Sequence, residues 1–392
     1  MKERLENKLS GWKSKNLSWS GRATLIKLVA QSIPAYHMST IQFSKALCEQ
    51  LDGVIRRFWW NPKSREGQYL TPMAWSSLCW PQKEGGLGFR KAWDFNQALL
   101  SKLAWWTLSE KNCLRVMLLR AKYKVRSNWL NHQTAGSSSP TWKSIEGTKH
   151  LLAQSACFQV GNGNSIRTWL DPWILDLPSF TPRPKEGSNP DSALIISQLI
   201  NPSHKGWDCN KLRNLFDEQT VKAIQRIPIS FHSQADKWIW TTTSNGQISV
   251  KSAYWLGQRE NPPTSQDVSR REIWKTKIHE RLKMHLWRIA ANFLPTKSFL
   301  ARCINIGDTT CSLCGMEEET CLDLFVLCPL TKAIWFNSHW GFKFDGLGLS
   351  SSSQFIQTLI SPPNTVGLNS ANKAEFLLHG VVICDVVWKL RN

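Results

Sequence analysis

Cys311-Ser312-Leu313-Cys314-Gly315, followed by Glu318-Glu319-Thr320-Cys321-Leu322-Asp323-Leu324-Phe325-Val326-Leu327-Cys328-Pro329, is the stretch on which the reading of this chain turns. Two thiolates two residues apart can grip one ion from a tight turn, and a glycine after the second eases that turn. Four of the 11 cysteines (Cys311, Cys314, Cys321, Cys328) fall within these 18 residues, and the other seven are scattered. The opening Met1-Lys2-Glu3-Arg4-Leu5-Glu6 has no apolar leader. An odd cysteine total without a leader points to a reducing compartment and a metal knuckle rather than a disulfide framework.

Working outward, the 392 residues are enough for two or three domains. A hydrophobic share of 42% against 20% charged is that of a folded chain. Charges interrupt every apolar run well short of the roughly 18–20 residues that span a bilayer, so no membrane partner is expected. With 49 Lys+Arg against 29 Asp+Glu the formal charge is +20. A surplus of that size calls for a polyanionic partner. Its dispersal, as in Arg56-Arg57 and Arg270-Arg271, favours a broad RNA- or DNA-contacting face over a localisation tag. The chain also holds 22 tryptophans. Most fall on apolar helix faces, which predicts core packing ahead of base stacking.

Residues 1–130 read as a helical segment. Leu5, Leu9 and Trp12 share one face; a second helix from near Ser20 presents Leu25, Leu28 and Val29; a third runs from an N-cap at Ser44 through Leu51, Ile55 and Phe58. Thr71-Pro72 reads as N-cap plus N1 proline, and Phe95, Leu99, Leu103 and Trp106 continue the period. Residues 131–248 read as a tryptophan-containing β/loop connector. One hairpin is expected around Gly161-Asn162-Gly163-Asn164 and another around Asn245-Gly246. Residues 249–340 form the cysteine-bearing helical module, in which Leu282, Leu286, Ile289 and Phe293 share a face. Beside them run Lys277, Arg281, His285 and Arg288, either a solvated stripe or a phosphate-contacting one. Residues 341–392 are a linker. The expected fold is mostly α with small β elements, α+β.

Catalytic signatures are absent. A polymerase needs paired carboxylates to hold two metal ions, and no Asp-Asp pair occurs. There is no HExxH, GxxxxGK[ST] or GxSxG, and Gly85-Gly86-Leu87-Gly88 lacks the Lys-Ser/Thr of a phosphate loop. No enzyme and no small-molecule substrate are expected.

At the cysteine stretch the chain resembles the reverse-transcriptase zinc-binding domain of plant LINE-type (non-LTR) retrotransposons, whose pattern is CxxCG, Glu-Glu-Thr, His-Leu-Phe, Cys-Pro and a downstream Trp, here Trp335. Ser249-Val250-Lys251-Ser252-Ala253-Tyr254, Leu286-Trp287-Arg288 and Leu294-Pro295-Thr296 are similar to its lead-in and core. Ser20-Gly21-Arg22-Ala23-Thr24-Leu25 and Ser32-Ile33-Pro34-Ala35-Tyr36 resemble the segment after the polymerase palm, and Trp388-Lys389-Leu390-Arg391-Asn392 the approach to a ribonuclease H domain. The resemblance implies a C-terminal fragment of an RNA-directed DNA polymerase, with neither polymerase carboxylates nor nuclease, and Met1 an internal methionine. It also implies Zn²⁺ and a parent protein that works on RNA and DNA in the nucleus. On the spacing given above, Lys277, Arg281 and Arg288 are the candidate RNA or DNA contacts, and the missing leader points to the nucleus or the cytosol and away from secretion. A domesticated host nucleic-acid-binding zinc protein and a tryptophan-rich protein–protein scaffold are the rival readings.

Two departures stand out. Ile278-His279-Glu280-Arg281 replaces the family's Pro-Pro-Lys, and Asp323 stands where the family has histidine. The expected ligands are Cys311, Cys314 and Cys328 with Asp323 fourth; the softer thiolate of Cys321 is the alternative. If 320–327 is helix, Cys321 lies about 10 Å of rise from Cys328 at about 1.5 Å per residue. Ligands of one zinc sit within about 4 Å of each other, given Zn–S bonds near 2.3 Å. Asp323 is two residues closer.

Overall fold

The computed structural model describes residues 1–392 apart from 14–15, 62–66, 68, 127–128, 132–137, 202–205, 230–233, 259–267, 305 and 364–369. Helices dominate and sheets are small, as the sequence predicts. Two compact units interleave along the chain. One gathers Met1–Ile33, Ala46–Ala92 and Pro262–Asn392, the other Pro34–Lys45 and Trp93–Asn261.

In the first unit, Lys2–Lys13 buries Leu5 and Leu9, and Lys45–Trp60 buries Cys48, Leu51, Ile55, Phe58 and Trp59, the faces that the spacing predicts. Fully burying an apolar side chain contributes about 1.5–3 kcal/mol, so these stripes hold the helices in place. The second predicted helix differs. Trp19–Leu25, capped by the Ser18 hydroxyl on the Gly21 N–H, continues as a π turn over Ile26–Ala30. The wider turn shifts the phase, so Ala23, Ile26 and Ala30 are buried while Leu28 is 70% exposed. The helix expected from Thr71-Pro72 begins later, at Trp75, and runs to Cys79.

Helix Glu280–Ala290 is the hub of this unit. It packs against Val268–Lys275, Ser352–Ile360, Ser370–Arg391 and Trp19–Leu25. From Met284 to Ala290 every side chain is buried. Trp287 Nε1 donates to the Gly85 carbonyl at 2.7 Å. That gives the glycine stretch its purpose: Gly85 has φ +85°, and a Cβ on Gly86 would overlap the Trp80 carbonyl. His279, one of the departures, caps the hub helix by accepting the Arg281 N–H on Nδ1 at 3.2 Å. Residues 341–392, read from sequence as a linker, carry the helices Ser352–Ile360 and Ser370–Arg391, and the latter buries Phe376, Val381, Cys384 and Val387.

In the second unit neither expected hairpin forms as a strand pair. Instead β1 (Ala156–Gln159) pairs antiparallel with the distant strand Lys237–Trp240, Ala156 opposite Trp240. A two-residue pair, β2 (Ile200–Asn201) with β3 (Gly206–Trp207), lies between them in sequence, which makes Lys237–Trp240 β4. The Gly161–Ser165 turn is committed elsewhere. Its N–H groups at Gly161, Gly163 and Ser165 donate to the Asp236 carboxylate at 2.7, 2.9 and 3.0 Å, and the Ser165 hydroxyl does so at 2.7 Å. Burial alone would raise that carboxyl, but the bonds from Ser165, Gly161 and Gly163 outweigh it and hold it below its usual range. This clamp fastens the exit of β1 to the entry of β4. Around Asn245-Gly246 the chain does turn, Trp240 N–H donating to the Gly246 carbonyl at 2.8 Å, but it leaves as helix Val250–Gln258 rather than as a return strand.

None of the 22 tryptophans is exposed, the outcome that core packing predicts. No helix among the described residues is long and apolar enough to cross a membrane.

Candidate metal centre

The Sγ atoms of Cys311, Cys314 and Cys328 lie within 4.8 Å of one another. Two local devices bring them together. The first is the knuckle. Gly315, at φ +68°, lets its N–H return to the Cys311 carbonyl at 2.8 Å. The turn also aims backbone donors at sulfur: the N–H groups of Cys314 and Leu313 face Cys311, and those of Met316 and Glu317 face Cys314. These donors hold the Cys314 thiol below its ordinary value, whereas burial pushes Cys311 up to about 12.

The second device is a π turn over Asp323–Leu327, where the sequence predicts α-helix to Leu327. On an α-helix, residues five apart stand about 140° around the axis. The π turn narrows that angle and bonds the Cys328 N–H to the Asp323 carbonyl at 2.8 Å. With the Cys328 N–H spent on Asp323 and Pro329 having none, the carbonyls of Leu324 and Phe325 both lose their α-helical partners. The Thr331 hydroxyl donates to the first at 2.8 Å and Trp335 Nε1 to the second at 2.9 Å. Cys328 itself is extended, at φ −53° and ψ 129°, as a residue before proline should be.

Asp323 and Cys321 part company. The Cys311 thiol donates to the Asp323 carboxyl, while Asp323 Oδ2 is buried without a partner among the described residues. Burial, then the nearby charges of Glu317 and Glu319, hold the Asp323 carboxyl above its ordinary value. The three sulfurs suit one soft-ligand cation such as zinc. The Asp323 oxygens fall outside that 4.8 Å cluster and touch it through the Cys311 thiol, so a bound ion would relieve the orphaned oxygen only after a small approach of this side chain. Cys321 is buried with its sulfur facing the Leu294 N–H and Arg288, and burial pushes it up to about 12.

Beneath the knuckle sits Glu319, 0% exposed. Its carboxylate accepts from the Lys297 N–H at 2.9 Å and the Ser312 N–H at 3.0 Å, and from Arg391 Nη2 and Nε at 2.7 and 3.0 Å. Three separate stretches of chain are thus tied at one anion. Sequence reasoning placed Glu319 in a motif but gave it no role, and it missed Arg391, 72 residues away.

The three expected nucleic-acid contacts do not share a surface. Lys277 precedes the hub helix and is exposed, and Arg281 pairs with Asp385 at 2.9 Å. Arg288 is only 8% exposed, its guanidinium 4.4 Å from the Trp19 ring. Burial, then repulsion from Arg22, lowers it to about 9. His285 lies against Cys384, and burial lowers it to about 4, so this part of the stripe faces the core.

Residues 248–335 match the family described as zinc-binding in reverse transcriptase. A relative in Arabidopsis thaliana whose name describes a ribonuclease H protein is 32% identical over 341 residues, covering 85% of this chain and 54% of its own. The chain therefore spans about half the length of that relative. An uncharacterized mitochondrial protein of the same plant is 33% identical over 152 residues, covering 38% of this chain and 98% of its own. The chain belongs to the reverse-transcriptase zinc-binding family. The matched family segment holds both devices and all the cysteines of the cluster, together with Trp335, whose indole takes up the Phe325 carbonyl inside the π turn.

Proposed function

We propose that this chain is the zinc-carrying, nucleic-acid-contacting part of a LINE-type retrotransposon reverse transcriptase, acting in the nucleus without catalysis of its own. The thiol trio of Cys311, Cys314 and Cys328, set inside the family segment beside the orphaned Asp323 oxygen, carries this reading. Zn²⁺ suits three thiolates and a carboxylate in four-coordinate geometry. Cys311, Cys314 and Cys328 would hold the ion as thiolates, and Asp323, which now accepts from the Cys311 thiol, would be the candidate for the fourth position ahead of Cys321.

The +20 charge supports a polyanionic partner. Exposed Lys277 and half-exposed Arg281 are the candidate contacts, while Arg288 braces Trp19 from within. The absence of an Asp-Asp pair from the sequence supports the lack of polymerase chemistry. If about five phosphates are neutralised, log K for RNA or DNA falls against log salt with a slope of about −3.5 to −4.5. Titrations at several salt concentrations, with primer extension in Mg²⁺ run alongside, test both halves. A flat salt dependence removes the nucleic-acid half, and template-dependent extension removes the non-catalytic half.

A further inference from the structure

Helices Lys2–Lys13 and Lys45–Trp60 flank a cavity of about 690 Å³ in the first unit. Pockets for small ligands run from about 300 to 1,000 Å³, so this one has room for a nucleotide. Its basic lining is Lys2, Arg56 and Arg57, against one acid, Glu6, which pairs with Lys2 at 3.9 Å. Arg57 is held in place, donating from Nη1 to the Gly67 carbonyl at 3.1 Å with its guanidinium 4.8 Å from the Tyr69 ring. Arg56 is half-buried on the wall, and its Nε is buried with no hydrogen-bond partner among the described residues. Two arginines on one cavity wall, one of them with an unspent donor, suit an anionic acceptor, and a phosphate is a strong one.

Gly53 adds an independent observation. It lies inside helix Lys45–Trp60 and lines the cavity, and a Cβ there would meet no atom within 4 Å. Glycine weakens a helix interior, and no neighbour in the protein requires it here. The space it leaves belongs to the cavity. Asn7 and Gln50, on facing walls, offer the paired donors and acceptors that a base edge uses.

We propose that this cavity seats one nucleotide of a single-stranded RNA or DNA, its phosphate on Arg56 and Arg57 and its base against Asn7 and Gln50. A concave site admits a splayed nucleotide but not a paired one, which selects single strands over duplex. The proposal rests on the nucleic-acid reading above.

Fluorescence anisotropy with the full chain tests it, using labelled oligouridine and oligothymidine of about 12 nucleotides, a typical single-strand site size. Gly53→Leu fills the cavity with a better helix former and should weaken binding about tenfold, with an unchanged or higher melting temperature. Arg56→Gln should cost about as much and reduce the salt slope by about one; it stands as the readout should leucine disturb the helix. If both variants bind like the wild type, the cavity assignment is overturned while the broader reading survives. If the wild type binds neither oligonucleotide at low salt, both fall.

Discussion

Cys328→Ser is expected to abolish zinc retention and to loosen the knuckle and π turn ahead of the rest of the chain. Structural zinc contributes on the order of 10–16 kcal/mol in isolated zinc-finger peptides, more than so small a module can replace by packing. Cys328 is fully buried, and its N–H closes the π turn on Asp323, so ligand and backbone fail together. Metal analysis of the pure variant should find no zinc, and hydrogen exchange should show lost protection in the knuckle and π turn. Full protection in a zinc-free variant would show that packing alone holds this segment. In the wild type, zinc must displace the proton of Cys311, whose thiol is pushed up to about 12 by burial. Affinity should therefore fall as pH falls, because protons compete for the sulfur.

Glu319→Ala is expected to cost about 3–5 kcal/mol, the usual effect of leaving one member of a buried ion pair alone. The figure needs little discount for screening, since the Glu319 and Arg391 side chains are 0% and 13% exposed. Arg391 would keep a buried charge, and the Ser312 and Lys297 N–H groups would lose their acceptor. Urea unfolding measures the loss; a change below about 1 kcal/mol would mean that water replaces the carboxylate. The sign of the pH effect follows from the same contacts. Burial raises the Glu319 carboxyl, but Arg391, Ser312 and Lys297 outweigh it and hold it below its usual range. A depressed carboxyl stabilises above its unfolded pKa, about 4.3, and that contribution is lost as pH drops through the lower folded value. Glu319→Gln should remove this acid-sensitive component.

Local signals were the legible ones. The helical stripes at Leu5/Leu9 and Leu51/Ile55/Phe58 predict the buried faces, because a 3.6-residue period is written in adjacent turns. The cysteine knuckle is legible for the same reason. Two π turns were not. Each inserts a residue into the helical phase without a composition signal, which moved the buried face from Leu28 to Ile26 and drew Asp323 toward Cys328. The preference for Asp323 over Cys321 rested on α-helical rise and on the family's histidine position; in the structure Cys321 faces the Leu294 N–H, and Asp323 touches Cys311 without joining the three-sulfur cluster.

Long-range pairings were equally hidden. β1 meets β4 across 81 positions because Asp236 captures the turn that would have closed a hairpin. The Glu319–Arg391 pair joins residues whose types alone carry no address. Arg288 read as surface because charge usually is; stacking on Trp19 is what lets it sit inside.

A zinc bound by three sulfurs and the Asp323 oxygen would leave a distinct coordination signature. Metal content and zinc-edge X-ray absorption of the purified full chain test it most directly. One zinc per chain is expected, with three sulfur and one oxygen or nitrogen neighbours, sharply reduced occupancy in Asp323→Ala and little change in Cys321→Ala. Four sulfur neighbours with the reverse mutant order would hand the fourth position to Cys321, and a metal-free wild type would contradict the account outright.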